Sequence, residues 1–238
     1  MNLLNKLREE KQMKLKGGLY HQTQIKLCYN SNRIEGSRLS EEQTRYIFET
    51  NTLNVENGGT ANVDDILETV NHFACFDYML DIADKDLAED LIKEFHRILK
   101  SGTSDAKKDW FKVGDYKTQP NIVGGVETAP PKQAPDDMAD LLKKYNQEKQ
   151  LTLEDIITFH YKFERIHPFQ DGNGRVGRLI MFKECLKNNI LPFIIEDEKK
   201  LFYYRGLKEF TDTQGYLMDT CRAAQDTYKK LVEYFEQA

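Results

Sequence analysis

No stretch of the 238-residue chain approaches 18 consecutive apolar residues, so no membrane-spanning helix is expected. There is no CxxC pair: Cys28, Cys75, Cys185 and Cys221 stand far apart and read as four free thiols in a reducing compartment. A basic stripe is missing too. The 34 Lys and Arg residues are interspersed with 39 Asp and Glu, for a net charge of -5. That argues against a general nucleic-acid binder but leaves room for a few well-placed arginines on a phosphate. The segment from Met1 to Lys14 is amphipathic and charged and lacks the apolar core of a signal peptide, so a cytoplasmic location is expected. Internal repeats and low-complexity tracts are likewise lacking.

What is present is an ordinary soluble composition, 39% hydrophobic and 31% charged, in a length that supports one substantial core or two small ones. Apolar residues recur at three-to-four spacing from Leu4 to Leu15, Ile66 to Ile82 and Leu87 to Leu99, the signature of helices with one buried face. Ser40 followed by Gln43 resembles a capping box opening a helix through about Phe48. Thr152 followed by Asp155 marks another start, for a helix carrying Ile156, Phe159, Phe163 and Ile166. Further helices are predicted around Leu179, Phe182 and Leu186, near Lys199 to Phe210, and from Tyr216 to Phe235. The pattern breaks from Val113 to Pro135, where four prolines and three glycines surround Ile122, Val123 and Val126. Helix is disfavoured there, and Gly124-Gly125 fits a tight hairpin turn. Because the periodicity resumes on both sides, the expectation is one mainly α domain over residues 1–238 with a β-hairpin.

Chemistry concentrates between His167 and Arg178, in the run HPFQDGNGRVGR. A helix must end near Ile166, because a residue before proline is pushed out of the α region. A short loop with Gly172 and Gly174 follows, and a second helix starts near Asn173 or Gly174. Such a loop can turn several amides toward one anion, with a helix N-terminus adding unpaired donors and partial positive charge. Arg175 and Arg178, three apart, share a face of the new helix. Asp171 is placed to hold Mg²⁺ on a polyphosphate, and His167 has the ordinary pKa range of a general base near neutral pH. Taken singly, each residue has a structural explanation. Together they describe phosphoryl or nucleotidyl transfer.

The run resembles the HPFx(D/E)GNGRxxR signature of the Fic family at every fixed position. The resemblance implies a Fic fold, a helical bundle with a β-hairpin flap, and protein adenylylation: transfer of AMP from ATP to a hydroxyl of a target protein. It implies His167 as the general base, Asp171 as the Mg²⁺ ligand, and Gly172, Asn173 and Gly174 as the anion hole. Arg175 and Arg178 would bind the β- and γ-phosphates, and Phe169 would anchor the loop. Gly174 stands where Doc-like kinases have Lys, which favours ATP as an AMP donor.

Upstream, Ser31-Asn32-Arg33-Ile34-Glu35-Gly36 matches the family's inhibitory pattern (S/T)xxxE(G/N). Ser31 and Glu35 lie four apart on one helical face, and Gly36 lets the chain leave in a left-handed conformation. The resemblance places an inhibitory helix at about residues 18–36, with Glu35 paired to Arg178. It also places a flap at about residues 113–130. There Tyr116, Lys117 and Thr118, then Asn121, Ile122, Val123, Gly124 and Gly125, would seat a target segment by strand addition. Tyr203, Tyr204 and Leu207 resemble the YYxxL segment beside the adenine pocket, although Thr211 stands where the family often has Asn. His96 reads as structural, and His21, His72 and His160 show no metal-ligand spacing.

The implied partners are ATP with Mg²⁺, a protein presenting a Ser, Thr or Tyr hydroxyl, and the chain itself as a self-modification substrate; whether it forms a homo-oligomer stays open. Nucleic acid and membrane are not among them. Two alternatives stay open: a bifunctional enzyme in which Glu35 also directs removal of AMP, and a catalytically silent ATP-binding interaction module.

Overall fold

The computed structural model describes residues 2–55 and 59–237; Met1, residues 56–58 and Ala238 lie outside them. Among the described residues are ten α-helices and one two-stranded antiparallel hairpin. The helices are α1 (Leu3–Met13), α2 (Leu19–Ile34), α3 (Glu41–Thr50), α4 (Val63–Asp81) and α5 (Glu89–Lys100), then α6 (Ala134–Gln147), α7 (Leu153–Ile166), α8 (Asn173–Lys187), α9 (Lys200–Lys208) and α10 (Gly215–Glu236). Strands β1 (Ile122–Val123) and β2 (Val126–Glu127) lie between α5 and α6.

Local chemistry sets most of these boundaries. The predicted capping box forms at α3, Ser40 with Gln43, and the predicted helix start at α7 is a capping box as well, Thr152 with Asp155. Each satisfies two donors that would otherwise be stranded at the helix end. Hairpin register is fixed by Val123 opposite Val126 and Ile122 opposite Glu127. Gly124 and Gly125 turn the chain with φ of +57° and +79°, the paired positive φ of a type I′ turn, which side chains resist. The extended region ends sooner than the proline count suggests. Pro135 opens α6 instead of blocking it, because a first-turn residue has no intrahelical N–H bond to lose. Met138, Leu141, Leu142 and Tyr145 then bury one face of that helix, which the sequence reading left without an assignment.

Helix α8 is the axis of the molecule. Every residue from Asn173 to Leu186 is buried, and α2, α4, α5 and α7 pack around it. Its apolar side chains Val176, Leu179, Ile180 and Phe182 join Leu7, Phe76, Met79, Phe95, Phe163 and Phe169 in the main core. Met181 and Cys185 reach a second cluster with Tyr203 of α9, Phe210 of the turn that follows it and Leu217 of α10. A helix buried on all sides must pair any charge it carries, and α8 carries Arg175, Arg178, Lys183 and Glu184. All four cysteines are free and buried. No helix among the described residues is long and apolar enough to cross a membrane.

Burial leaves three histidines uncharged in the fold. His72, His96 and His160 are each lowered to about 3, chiefly by desolvation. The unfolded chain binds protons at these residues from its ordinary range near 6.5 downward, whereas the native state resists until about pH 3. Their contribution is therefore complete above pH 6.5 and is lost as pH falls toward 3. Each histidine adds up to about 1.4 kcal/mol per pH unit to the slope. Urea unfolding midpoints measured between pH 7 and 4 should fall steeply; a flat profile would contradict neutral burial.

Candidate active site

The loop after α7 is held by its own residues. Pro168 ends the helix, and His167 takes a left-handed conformation (φ 51°, ψ 62°) while its N–H still donates to the Phe163 carbonyl at 2.8 Å. A non-glycine residue held there is strained and persists only where its surroundings impose it. Phe169 is fully buried and stacks on His96, with ring centroids 4.1 Å apart and planes 5° from parallel. Asn173 folds back on the same residue: its Oδ1 accepts from the Phe169 N–H at 2.8 Å and its Nδ2 donates to the Phe169 carbonyl at 2.9 Å. Gly172, at φ +82°, is the N-cap of α8, and no side chain caps that end. The first amides of a long helix are thereby left open to an anion.

Arg178 lies in the same opening, almost wholly buried. Its Nε donates to Ser31 Oγ at 3.0 Å, and its Nη2 donates to the Ser31 carbonyl at 2.9 Å and to Glu35 Oε1 at 2.7 Å. Burial disfavours the guanidinium charge, but Glu35 outweighs it and holds the Arg178 pKa above its ordinary value. Glu35 lies just past the end of α2, and Gly36 follows at φ +98°. The Tyr204 hydroxyl clamps this helix end, donating to the Ile34 carbonyl at 2.8 Å. Glu35 also occupies the glycine opening: a Cβ on Gly174 would fall 2.1 Å from Glu35 Oε1.

Arg175 faces elsewhere. Its guanidinium bonds to Glu68 of α4 and, at 3.1 Å, to Asp171 Oδ2. Lys100, at the end of α5, places its buried ammonium 2.6 Å from Glu68, 2.9 Å from Asp105 and 2.7 Å from Asp171. Burial raises the Asp171 pKa, but Arg175 and Lys100 more than reverse this and hold its carboxyl well below the usual range. The Asp171 side chain stays 48% exposed, so it offers an ionised carboxylate beside the opening.

These parts border a cavity of about 620 Å³. Glu35, His167, Gly174, Arg178, Tyr203 and Tyr204 line it, joined by Val123, Gly124 and Thr128 of the hairpin. Burial and, next, Lys117 lower His167 to about 4, so its ring is neutral at pH 7 and can accept a proton. Glu164 is raised to about 8 by burial and by Glu35, against the pull of Arg178. Among the described residues, Glu164 Oε1 and Arg178 Nη1 are buried without a hydrogen-bond partner.

Sequence expectations thus divide. His167, Gly174, Arg178, Glu35, Tyr203, Tyr204, Val123 and Gly124 meet at the cavity, whereas Asp171, Gly172, Asn173 and Arg175 form the loop and its bracing without lining it. Ser31 acts behind Arg178. Tyr203 is buried, with its hydroxyl 2.6 Å from His160 Nε2. Thr118 donates to the Trp110 carbonyl at 2.7 Å, Asn121 Oδ1 accepts from Lys117 at 2.9 Å, and Ile122 is exposed. Glu68, Lys100 and Glu164 are not anticipated at the site, and Lys117 is expected only on the flap. In sequence they are ordinary charged helix or loop residues, and Glu68 and Lys100 meet their partners across about 30 to 110 positions.

Residues 86–185 match the Fic/DOC family, and the chain carries a Fic domain with the Fic fold. It is 31% identical over 192 residues to protein adenylyltransferase Fic of Drosophila melanogaster, covering 76% of this chain and 36% of that one. To protein adenylyltransferase fic-1 of Caenorhabditis elegans it is 27% identical over 197 residues, 79% of this chain and 37% of the relative. The chain therefore spans little more than a third of these curated relatives. A Fic-domain-containing signaling protein of Bacteroides thetaiotaomicron superposes with TM-score 0.73 at 26% identity, over 98% of this chain and 91% of that one. Residues 134–508 of Caenorhabditis elegans Fic-1 share the fold, with TM-score 0.76 at 22% identity, over 98% of this chain and 71% of that one.

Lys100 is the test of the bracing. Lys100→Met removes the ammonium that Glu68, Asp105 and Asp171 share, leaving Arg175 to hold Glu68 and Asp171 and Lys108 to hold Asp105; breaking a buried ion pair costs up to about 3–5 kcal/mol. The loss should appear as a lower urea midpoint. A cost below about 1 kcal/mol, the range of solvated pairs, would mean that the network is not held in a dry interior.

Proposed function

We propose that the chain is a protein adenylyltransferase that transfers AMP from ATP to a protein hydroxyl and is restrained by Glu35. The observation that carries this reading is the convergence of a neutral His167, an open helix N-terminus and the buried Arg178 on one cavity. Curated relatives with this domain named as protein adenylyltransferases support the donor and the reaction.

In this reading the amides at Gly172 to Gly174 and the Arg178 guanidinium bind the phosphates. The acceptor hydroxyl gives its proton to the His167 ring as its oxygen attacks the α-phosphorus. A new oxygen–phosphorus bond forms, the bond to the bridging oxygen breaks, and pyrophosphate leaves with the electron pair. Asp171 is the residue that would hold Mg²⁺, which when bound neutralises charge on the α- and β-phosphates. The fit is sound: Asp171 is ionised, half exposed and beside the opening. No group of three ligating side chains exists among the described residues, which suits a metal held by one carboxylate and the substrate's own phosphates. Arg175 serves by bracing Asp171 and keeping positive charge near the loop. The hairpin, with Ile122 exposed and Val123 at the cavity edge, is the surface on which an extended target segment adds as a strand.

Glu35 restrains transfer by occupying Arg178 and the space above Gly174, where the terminal phosphates need to lie. The whole chain acts as one unit, with α2 as the inhibitory helix and residues 113–130 as the flap.

His167 tests the chemistry. Incubated with labelled ATP, Mg²⁺ and a mixture of candidate target proteins, His167→Ala should lose about 10²–10⁴ in transfer rate. Its ATP affinity by calorimetry should stay near that of the parent. Equal transfer by both proteins would remove His167 as the base, and loss of ATP binding would make the residue structural.

A further inference from the structure

Lys117 lies between α5 and the hairpin and is 3% exposed. Its ammonium donates to three acceptors: Asn121 Oδ1 at 2.9 Å, Thr128 Oγ1 at 2.7 Å and the Ile166 carbonyl at 3.2 Å. Its backbone N–H donates to the Pro168 carbonyl at 2.8 Å. Asn121 and Thr128 are the two roots of the hairpin, and the Thr128 hydroxyl also donates to the Asn121 carbonyl at 3.1 Å. Ile166 and Pro168 are the two neighbours of His167. One residue therefore bonds both ends of the hairpin and the carbonyls of both residues that flank His167.

The charge makes this more than a staple. All three acceptors are neutral, and among the described residues no carboxylate lies within ion-pair distance of Lys117. An unpaired buried ammonium is costly, and burial lowers this one to about 8. A neutral amide could supply hydrogen bonds to the hairpin roots at less cost. The ammonium adds two things an amide cannot: a positive charge at the C-terminal carbonyls of α7, where it is favourable, and a cation close to the His167 ring.

We propose that Lys117 is a positioning residue that couples the hairpin to His167, so that a protein segment seated on the hairpin fixes the backbone and ring of the base. This rests on the reading of His167 as base and of the hairpin as target-docking flap, but its test does not pass through AMP transfer. Failure of transfer in every assay would remove the enzyme reading and leave the coupling measurable.

Three variants are compared with the parent by amide hydrogen exchange and by NMR titration of the His167 ring, whose titratable neighbours are Lys117, Glu164, Glu35 and Asp171. Lys117→Met should speed exchange at residues 121–128 and 166–169 together by about tenfold or more, leave α4 and α10 unchanged, and raise the His167 titration midpoint. Lys117→Arg keeps the charge and should return that midpoint toward the parent value. Thr128→Val removes one acceptor at the hairpin end and should still alter exchange at 166–169. It also serves if Lys117→Met fails to fold. Faster exchange confined to the hairpin, with the His167 midpoint unmoved in all three variants, would overturn the coupling and leave Lys117 as a local tether.

Discussion

Arg178 cannot be left alone. A guanidinium almost wholly inside the protein has lost its water and must be bonded by something. In this structure the partners come from α2 and its C-cap: the Ser31 hydroxyl, the Ser31 carbonyl and the Glu35 carboxylate. That requirement ties the first third of the chain to α8. It also makes the Glu35 position an anion site whichever anion fills it. A carboxylate and a phosphate present similar acceptors to the same fork, so the proposed restraint and the proposed substrate binding would use one interaction. Arg178 Nη1, still without a partner among the described residues, leaves capacity for more acceptors than Glu35 supplies.

Around that point the protein sorts its charges by burial. Arg175, Lys100, Glu68 and Asp171 alternate in sign and hold one another, so the loop next to the cavity does not rely on a ligand for its shape. His167 and Glu164 are pushed the opposite way, toward their uncharged forms. The result is an uncharged imidazole beside an opening rich in donors, which under the proposed reaction is a base arranged before any substrate arrives. Such preorganisation is what electrostatic catalysis of phosphorus transfer needs.

Much of this was legible in the sequence, and the reason is proximity. The loop from His167 to Arg178 is contiguous, its glycines and proline have few conformational options, and the hairpin and both capping boxes are local motifs. Glu35 was legible only through family resemblance, because nothing local says that a glutamate at a helix end will meet an arginine 143 positions away. Arg175 and Arg178 share a helical face, yet Glu68 draws Arg175 toward α4 while Ser31 and Glu35 draw Arg178 toward α2. The pattern could not separate them because the partners arrive by tertiary packing. Helix α6 was missed for a different reason: Pro135 was read as a breaker when its position in the first turn makes it a starter. Lys100 and Lys117 look like solvated lysines until the fold buries them.

The central claim is that Glu35 and the transferred nucleotide compete for Arg178. Intact-protein mass spectrometry of the parent and Glu35→Gly, each incubated with ATP and Mg²⁺, tests it most directly. A charge-assisted bond worth about 1.5–3 kcal/mol predicts that the variant gains AMP adducts roughly ten- to a hundredfold faster than the parent. Adducts forming at equal rates in both proteins would contradict the competition, and no adduct in either would contradict self-directed AMP transfer from ATP.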